Sequence, residues 1–321
     1  GYLEEFIYEI EDTYGSKFDL SRVKAIQNST SPVLYEEIEE AITAVKKAIL
    51  AYRFELASED NPVDATDLLV NPDLETGNIT GWTVNYVQGS TVTNLGYQGA
   101  SYTNGDVTVS KFIEAWANSN FNNDPAGKRT LGNGSVYQLV KDLPAGKYKF
   151  ECDAISSRQD EANQGLEKGA YLFAKAGVNI FKEAIQTNNN APEHFKLTFV
   201  NATEADLEFG FMTENTTVNW ICADNFTLTY YGPVADDPYK VLLDTKIAQY
   251  EKEYPDVESL MANNDIKDAY SAEIETAKNC TADFQQEDSV LTEADNALVQ
   301  SIADYERMEK LIKDIKTGIL S

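Results

Sequence analysis

The chain has 321 residues, of which 42% are hydrophobic and 11% aromatic, and this is enough apolar material for well-packed cores in two or three domains. Its 53 acidic residues against 26 basic ones leave a formal net charge of −27 at pH 7. Such acidity repels nucleic-acid phosphates and anionic membrane surfaces, so nucleic acid is not expected as a partner. The sequence also lacks the run of about 18 apolar residues that a transmembrane helix needs, and it predicts no transmembrane segment.

Residues 1–57 are predicted to be a helical segment. Apolar residues recur at three- and four-residue steps over Leu34–Tyr52, which indicates one long amphipathic helix. Ser31 and Pro32 are typical of an N-cap followed by a first-turn proline, and they predict that this helix begins there. Two shorter helices are predicted before it, over about 3–15 and 20–26. The pattern leaves open whether the segment is a complete bundle or a truncated one.

Residues 61–233 are predicted to form a β-sandwich. From Leu68 onward the apolar residues alternate at every second position, as in Tyr148–Cys152 and Leu207–Phe211, and turn dipeptides such as Asn104-Gly105 separate these runs. Many short strands without intervening helical patterns favour an antiparallel sandwich over a parallel sheet.

The two ends of this predicted sandwich carry its clearest motifs. Asn71-Pro72-Asp73-Leu74-Glu75, followed by Gly81-Trp82, opens the domain, and Asp224–Tyr231 closes it with alternating large apolar residues. We expect the opening and closing segments to lie side by side in one sandwich. Trp82 and Trp220 are expected to be core residues because they adjoin these motifs.

Residues 236–321 return to a helical period. Three helices are predicted, over about 239–254, 266–284 and 290–316, and the last carries a nearly unbroken apolar stripe from Leu291 to Ile315. Three such helices joined by short loops predict an antiparallel bundle. The fold class is therefore multi-domain α + β, with a central antiparallel sandwich flanked by N- and C-terminal helical bundles.

The three cysteines, Cys152, Cys222 and Cys280, cannot form a full set of disulfides. Cys152 and Cys222 are each in step with aromatic neighbours that should face a core. We expect both to be buried free thiols, and a bridge between them is the alternative.

Several segments of the middle region, taken in order, resemble galactose-binding-like jelly-roll domains of the carbohydrate-binding-module type in exported proteins of gut bacteria. The segments are Asn71–Glu75 with Gly81-Trp82, Glu114–Trp116 with Phe121, Tyr137–Tyr148, Phe209–Phe211 and Trp220–Tyr231. The flanking helices resemble the small three-helix modules that accompany such domains. The resemblance implies a secreted or cell-surface protein that is not an enzyme and holds a glycan or polysaccharide in its sandwich, with helices that act as spacers or contact other surface proteins.

Carbohydrate sites commonly stack an aromatic ring on the apolar face of a sugar while polar groups bond its hydroxyls. Trp116 is the best candidate for such a ring because the small and amide-bearing residues 117–123 follow it closely. Tyr97 and Tyr102, set among polar residues, come next, and the guanidinium of Arg158 is suited to bridging hydroxyls. The alternative is that Trp116 fills the edge of the sandwich as a structural residue.

The same resemblance implies a structural calcium ion near the meeting point of the first and last strands. Glu75 and Asp224 occupy the matching positions, with Asn71 lending a side-chain or backbone oxygen, and oxygen ligands suit this ion. The alternative is that Asp224 bonds only neighbouring backbone groups.

Catalysis is the less favoured interpretation. Glu204, Asp206 and Glu208 have the spacing of the acid and nucleophile pair in jelly-roll β-glucanases, but a predicted turn over Thr203–Asp206 weakens this pattern. His194, in a predicted loop, is the only histidine, so a His-based triad or multi-His metal site cannot be assembled. Carbohydrate binding without catalysis is the predicted function; a structural or adhesive protein with protein partners is the alternative, ahead of a glycoside hydrolase.

Overall fold

The structure is a computed structural model that describes residues 1–87, 92, 94–117, 129–159, 167–188 and 190–320, without the side chains of residues 319 and 320. The chain divides into two compact units, Gly1–Val63 and Asp64–Ser321. The first unit is helical, and the second contains the sandwich and the C-terminal helices.

The first unit consists of three helices, which confirms the predicted helical segment. They are α1 (Tyr2–Tyr14), α2 (Ser21–Gln27) and α3 (Tyr35–Glu55). Their apolar faces share one buried core, made of Ile7, Ile10, Leu20, Val23, Ala41 and Val45. Amphipathic helices of this length are stabilised mainly by such mutual burial.

The predicted start of α3 at Ser31 is wrong. The helix begins at Tyr35, after Leu34 in an extended conformation, and the Leu34 N–H donates to Glu37 Oε2 at 3.3 Å. A glutamate three residues past the N-cap satisfies this otherwise unpaired donor. Ser31 instead bonds locally, since its N–H donates to Ser29 Oγ at 3.2 Å, and such short-range bonds compete with helix formation.

The second unit contains two antiparallel sheets packed as a sandwich, which confirms the predicted fold class. The first sheet has the order β3-β4-β11-β6-β9, with β1 beside β11, and the second has the order β2-β5-β10-β7-β8. The strands are β1 (Val63–Asp64), β2 (Thr83–Asn85), β3 (Asn94–Asn104), β4 (Val107–Trp116), β5 (Gly134–Leu143), β6 (Gly146–Ser157), β7 (Ala170–Ala176), β8 (Asn179–Ala184), β9 (Glu193–Asn201), β10 (Ala205–Thr213) and β11 (Trp220–Tyr230).

The opening and closing segments of the sandwich lie side by side, as expected. The Phe226 N–H on β11 donates to the Pro72 carbonyl at 3.0 Å, and the rings of Trp82 and Phe226 lie 4.5 Å apart. Phe150 on the first sheet packs against Phe209 on the second at 5.1 Å, so aromatic pairs fill the space between the sheets. Trp82 and Trp220 are buried, at 7% and 1% exposure, as predicted.

The two cysteines of the first sheet are buried free thiols, as expected. In the strand register Cys222 lies opposite Ile155, and Cys152 is three residues from Ile155 on the same strand. Because side chains alternate along a strand, Cys152 faces the sandwich core and Cys222 faces the other side of the sheet. The sheet itself therefore separates the two sulfur atoms.

The C-terminal helices form a bundle with its own core, as predicted. They are α4 (Pro238–Glu253), α5 (Asn264–Lys278) and α6 (Phe284–Leu320). Asp237 caps α4, accepting a hydrogen bond from the Tyr239 N–H at 2.9 Å. Phe284 was predicted to end the second of these helices. Instead α5 ends at Lys278, where the Asn279 side chain donates to the Glu275 carbonyl at 2.7 Å, and Phe284 begins α6.

The bundle is fastened to the edge of the second sheet. On α4, Gln249 accepts from the Lys182 N–H at 3.0 Å and donates to the Ile180 carbonyl at 3.4 Å. These are backbone groups of the edge strand β8, so the amide of Gln249 takes the place of a neighbouring strand and covers an edge that would otherwise be open to pairing. No helix within the described parts of the chain is long and apolar enough to span a bilayer.

Candidate functional site

The face of the first sheet that points away from the second sheet carries a group of aromatic side chains. Trp116 on β4 lies opposite Trp220 on β11, and Phe112 lies four residues before Trp116 on the same strand. Directly opposed residues of antiparallel strands point to the same side. Tyr102 of β3 reaches the same group with its ring. We call Tyr102, Phe112, Trp116 and Trp220 the aromatic patch.

The aromatic patch has a buried floor and a partly exposed rim. Trp220 and Phe112 are each 1% exposed, with ring centroids 6.1 Å apart, while Tyr102 and Trp116 are half-buried. The Tyr102 ring lies 5.4 Å from Trp220 and 5.9 Å from Phe112, and Trp116 packs against the same cluster. Mutual packing therefore fixes the rim rings in place while leaving part of their surface to solvent.

A buried carboxyl group lies within the aromatic patch. Glu114, at 5% exposure, accepts a hydrogen bond from Trp220 Nε1 at 2.8 Å. Burial raises the pKa of Glu114, and the hydrogen bonds from Trp220 and Gln98 oppose this rise. Gln98 is exposed on the neighbouring strand β3, opposite Phe112. The patch thus combines apolar rings with a carboxyl and an amide. Glu114 lies two residues before Trp116, and strand alternation is the sequence signal that places both on one face.

The other end of the same face is charged. His194 lies on β9 opposite Asp153 of β6. Its prediction as a loop residue is wrong, because the pairing of β9 with β6 continues to Glu193. Its ring nitrogens lie 2.8 Å from Asp153 Oδ1 and 3.3 Å from Glu151 Oε1. Burial lowers the pKa of His194, but the hydrogen bonds to the two carboxylates outweigh it and raise the pKa overall. Histidine, aspartate and glutamate form a polar row across β6 and β9.

The structure brings together only part of the predicted sugar-binding set. Trp116 and Tyr102 share the aromatic patch, whereas Tyr97 lies opposite Ile113, whose side chain is fully buried on the core side of the sheet. Arg158 follows the end of β6 and is 5% exposed, donating from Nη1 to the Thr217 carbonyl at 2.8 Å. Phe121 and the amide-rich stretch 118–123 lie outside the described residues.

The three predicted calcium ligands lie at one end of the sandwich, and each has a protein partner. Asn71 donates to the Asn78 carbonyl at 2.8 Å within its own loop, and Glu75 is ion-paired with Lys111. The two oxygens of Asp224 accept from the backbone N–H groups of Ser110 and Asn225. Over the described residues, no cluster of three or more His, Cys, Asp or Glu side chains is arranged to hold a metal, and calcium at this place stays a prediction.

Asp224 predicts a pH dependence of stability. Burial raises its pKa to about 7, and the nearby charges of Asp153 and Glu75 add to the rise, against hydrogen bonds from Ser110 and Asn225. The folded protein therefore holds a proton at Asp224 that the unfolded chain releases near pH 4. This group then contributes nothing below about pH 4, and its burial in charged form destabilises the fold progressively as pH rises from about 4 to 7.

Asp224→Asn is expected to remove that destabilisation, so the free energy of unfolding should fall less between pH 5 and pH 8 in the variant than in the wild type. Between pH 5 and pH 8, the free energy of unfolding should fall by about 1 kcal/mol or more further in the wild type than in the variant. It is measured by urea titration in EDTA, so that no bound ion neutralises the carboxylate. The exposed Asp244→Asn serves as control, and equal slopes for wild type and Asp224→Asn would contradict the prediction.

The carboxylates considered for hydrolysis lie on the other sheet. Asp206 and Glu208 are on β10, where Asp206 accepts from the Asp142 N–H at 3.0 Å and Glu208 is ion-paired with Lys175 at 3.2 Å. Glu204 precedes the strand and is exposed. Both strand carboxylates thus have protein partners, and the aromatic patch belongs to the opposite layer of the sandwich.

No protein-family model matches the sequence, and no curated protein matches it. Similar solved structures include TmCBM61 in complex with β-1,4-galactotriose, at 17% identity over 50% of this chain and 96% of that one, with a TM-score of 0.33. A Stig cyclase from Fischerella sp. TAU in complex with (3Z)-3-(1-methyl-2-pyrrolidinylidene)-3H-indole has 15% identity over 54% and 100%, with a TM-score of 0.39.

A further similar structure is the CBM22-1 xylan-binding domain of Paenibacillus barcinonensis Xyn10C, at 8% identity over 50% of this chain and 93% of that one, with a TM-score of 0.34. These structures include binding modules and a cyclase. The sandwich fold of this chain follows from its own strand order.

Proposed function

We propose that this protein binds carbohydrate at the aromatic patch and does not act on it chemically. The observation that carries the proposal is the position of Trp116, half-buried beside Trp220 on the outer face of the first sheet, with a buried carboxyl between the rings. Rings held by packing lose little freedom when a ligand arrives. This arrangement suits a pre-formed site.

In this proposal the exposed surfaces of Trp116 and Tyr102 receive the C–H face of a sugar ring. The burial of apolar surface and contact with the aromatic π-system supply the affinity. Gln98 and the Glu114 carboxyl are within reach of the same rings, and an amide and a carboxyl together donate to and accept from sugar hydroxyls. Because the chain carries a net charge of −27, we expect neutral glycans to bind better than uronic-acid polymers.

A non-catalytic role fits the environment of Glu114. Its oxygen is held by Trp220 Nε1, and Gln98 donates to the same group. Most glycoside hydrolases use two carboxyl groups on opposite sides of the bond that they cleave. The charged row of Glu151 and Asp153 is bonded to His194 at the other end of the face. A secreted or cell-surface location is part of the proposal and rests on the sequence resemblance alone.

Trp116→Ala is expected to weaken glycan binding about 10- to 100-fold, which is the effect of losing one stacked aromatic side chain. The full chain is first tested by affinity electrophoresis in gels with neutral or uronic-acid polysaccharides, and the best ligand is then titrated by calorimetry. Tyr97→Ala is the matched control, because Tyr97 lies on the same edge of the sheet but on its other side.

Binding in Tyr97→Ala should equal that of the wild type. The proposal fails if no polysaccharide of the panel retards the wild type, or if Trp116→Ala and Tyr97→Ala weaken binding equally. Release of reducing ends from any polysaccharide would overturn the non-catalytic part of the proposal. Circular dichroism of both variants checks that the sandwich remains folded.

A further inference from the structure

The last helix extends well past the bundle to which it belongs. The bundle core includes Leu291, Leu298 and Ile302 of α6, and the helix then continues to Leu320. At 1.5 Å per residue, the part beyond Ile302 is about 27 Å long. We call residues 303–320 the α6 extension.

The α6 extension carries an exposed apolar stripe. Met308, Leu311, Ile312 and Ile315 are 48%, 54%, 50% and 58% exposed. Together with Tyr305, three of them have the 3-4-3 spacing of the a and d positions of a coiled coil, in the order Tyr305, Met308, Ile312, Ile315. Scattered exposed apolar residues are ordinary, but a contiguous stripe at this spacing marks a surface for another helix.

The charges beside the stripe change sign along the helix. At the e and g positions, which flank the a and d residues, the charged residues are Asp304 and Glu309 in the first half of the extension and Lys316 in the second half. A helix with this pattern is complementary to a copy of itself that runs in the opposite direction. A parallel copy would place like charges side by side, which is unfavourable.

The antiparallel arrangement also fits in register. When Ile312 faces Ile315 of a second copy, Ile315 faces Ile312 in return, and the adjoining e positions set Glu309 against Lys316 of that copy. By symmetry this ion pair occurs twice. An isologous contact of this kind closes on itself as a dimer and does not propagate.

We propose that the α6 extension is a self-association surface, through which two copies of this protein pair as an antiparallel helical dimer. The two aromatic patches then belong to one particle. Two weak sites on one particle bind a polymer more tightly than either site alone, but the dimer stands independently of what the patch binds.

Sedimentation equilibrium of the full chain, over about 1 to 300 μM, tests the proposal. We expect a reversible monomer–dimer equilibrium in the wild type. Ile312→Asp should weaken it more than about tenfold, because an apolar contact is lost on both sides of the interface. The matched control is Val178→Asp, which changes a side chain that is 79% exposed in the β7–β8 turn, and it should leave the equilibrium unchanged.

A charge-reversal pair tests the orientation. Glu309→Lys alone should weaken the dimer, because it sets one lysine against another across the interface, and Glu309→Lys combined with Lys316→Glu should restore it. A monomer at every concentration, or an unchanged dimer in Ile312→Asp, overturns the proposal. Failure of the double variant to recover overturns the antiparallel arrangement. Circular dichroism at 222 nm establishes that each variant keeps its helices.

Discussion

Lys246→Met is expected to lower the free energy of unfolding of the second unit by about 3–5 kcal/mol, which is the usual result of removing one partner of a buried ion pair. Lys246 on α4 is fully buried. Its Nζ lies 2.6 Å from Asp288 Oδ1 on α6 and donates to Thr292 Oγ1 at 2.7 Å and Asn179 Oδ1 at 2.5 Å. Methionine fills a similar volume but leaves the Asp288 carboxylate buried without its counter-charge.

The effect should be seen as a lower midpoint in urea unfolding followed by circular dichroism at 222 nm. The control is Lys240→Met on the same helix, where the partner Asp244 is exposed and a change of about 0–0.5 kcal/mol is expected. Combining Lys246→Met with Asp288→Leu should recover most of the loss, since an apolar pair can replace a buried ion pair. A double variant no more stable than Lys246→Met would show that the ion pair is not the cause.

Trp220→Ala is expected to destabilise the sandwich by about 3–5 kcal/mol and to abolish binding at the aromatic patch. Trp220 is 1% exposed and contacts Tyr102 and Phe112 with its ring. Its removal leaves a cavity under the rim of the patch. It also deprives the buried Glu114 of its 2.8 Å donor, so a packing loss and an unpaired polar group act together.

Trp220→Phe separates the two contributions, because phenylalanine retains most of the ring contact but has no N–H group. We expect a loss of about 1–3 kcal/mol, mainly from the unpaired carboxyl. Near-ultraviolet circular dichroism during urea unfolding reports on the sandwich. The control is Val178→Ala, at an exposed turn, which should change the free energy of unfolding by less than about 0.5 kcal/mol. Equal stability of Trp220→Ala and the wild type would contradict a buried, packed role.

Two lysines connect the bundle to the sandwich within the second unit. Besides Lys246, Lys182 on β8 is bonded to Glu253 of α4 at 3.0 Å and lies 3.3 Å from Glu214. Together with the hydrogen bonds of Gln249 on α4 to the backbone of β8, these contacts hold α4 against the sheet. A dimer formed through the α6 extension would carry two aromatic patches.

Much of the fold is predictable from the sequence because the signals are local. Apolar residues at helical spacing predict α3 and α6, and alternation with turn dipeptides predicts the strands of the sandwich. The element boundaries are less predictable. Ser31 satisfies the pattern of an N-cap, yet Glu37 caps the helix that begins four residues later, because competing caps in one segment differ by little in free energy.

The candidate site is predictable in part. Trp116 and Tyr102 meet at the aromatic patch, but Tyr97 does not, because an odd separation along a strand places side chains on opposite faces. The register of β3 against β4 shifts between Gln98 and Ser101. The face on which a side chain lies therefore also depends on how its strand pairs with the neighbouring strand. Strand alternation places Glu114 on the same face as Trp116, but its burial follows from contact with Trp220, more than a hundred residues away in the sequence.

The sequence by itself determined the classes of structure: helices, then a sandwich, then helices, with an acidic surface and no apolar segment long enough for a membrane. Periodicity and composition carry this information because each depends on residues a few positions apart. Only the tertiary structure decided that Trp116 shares a face with Trp220, that Lys246 is buried beside Asp288, and that the apolar stripe of α6 continues beyond the bundle core. These facts depend on contacts between distant segments, and the free energy of such contacts is settled only when the sheets and helices pack.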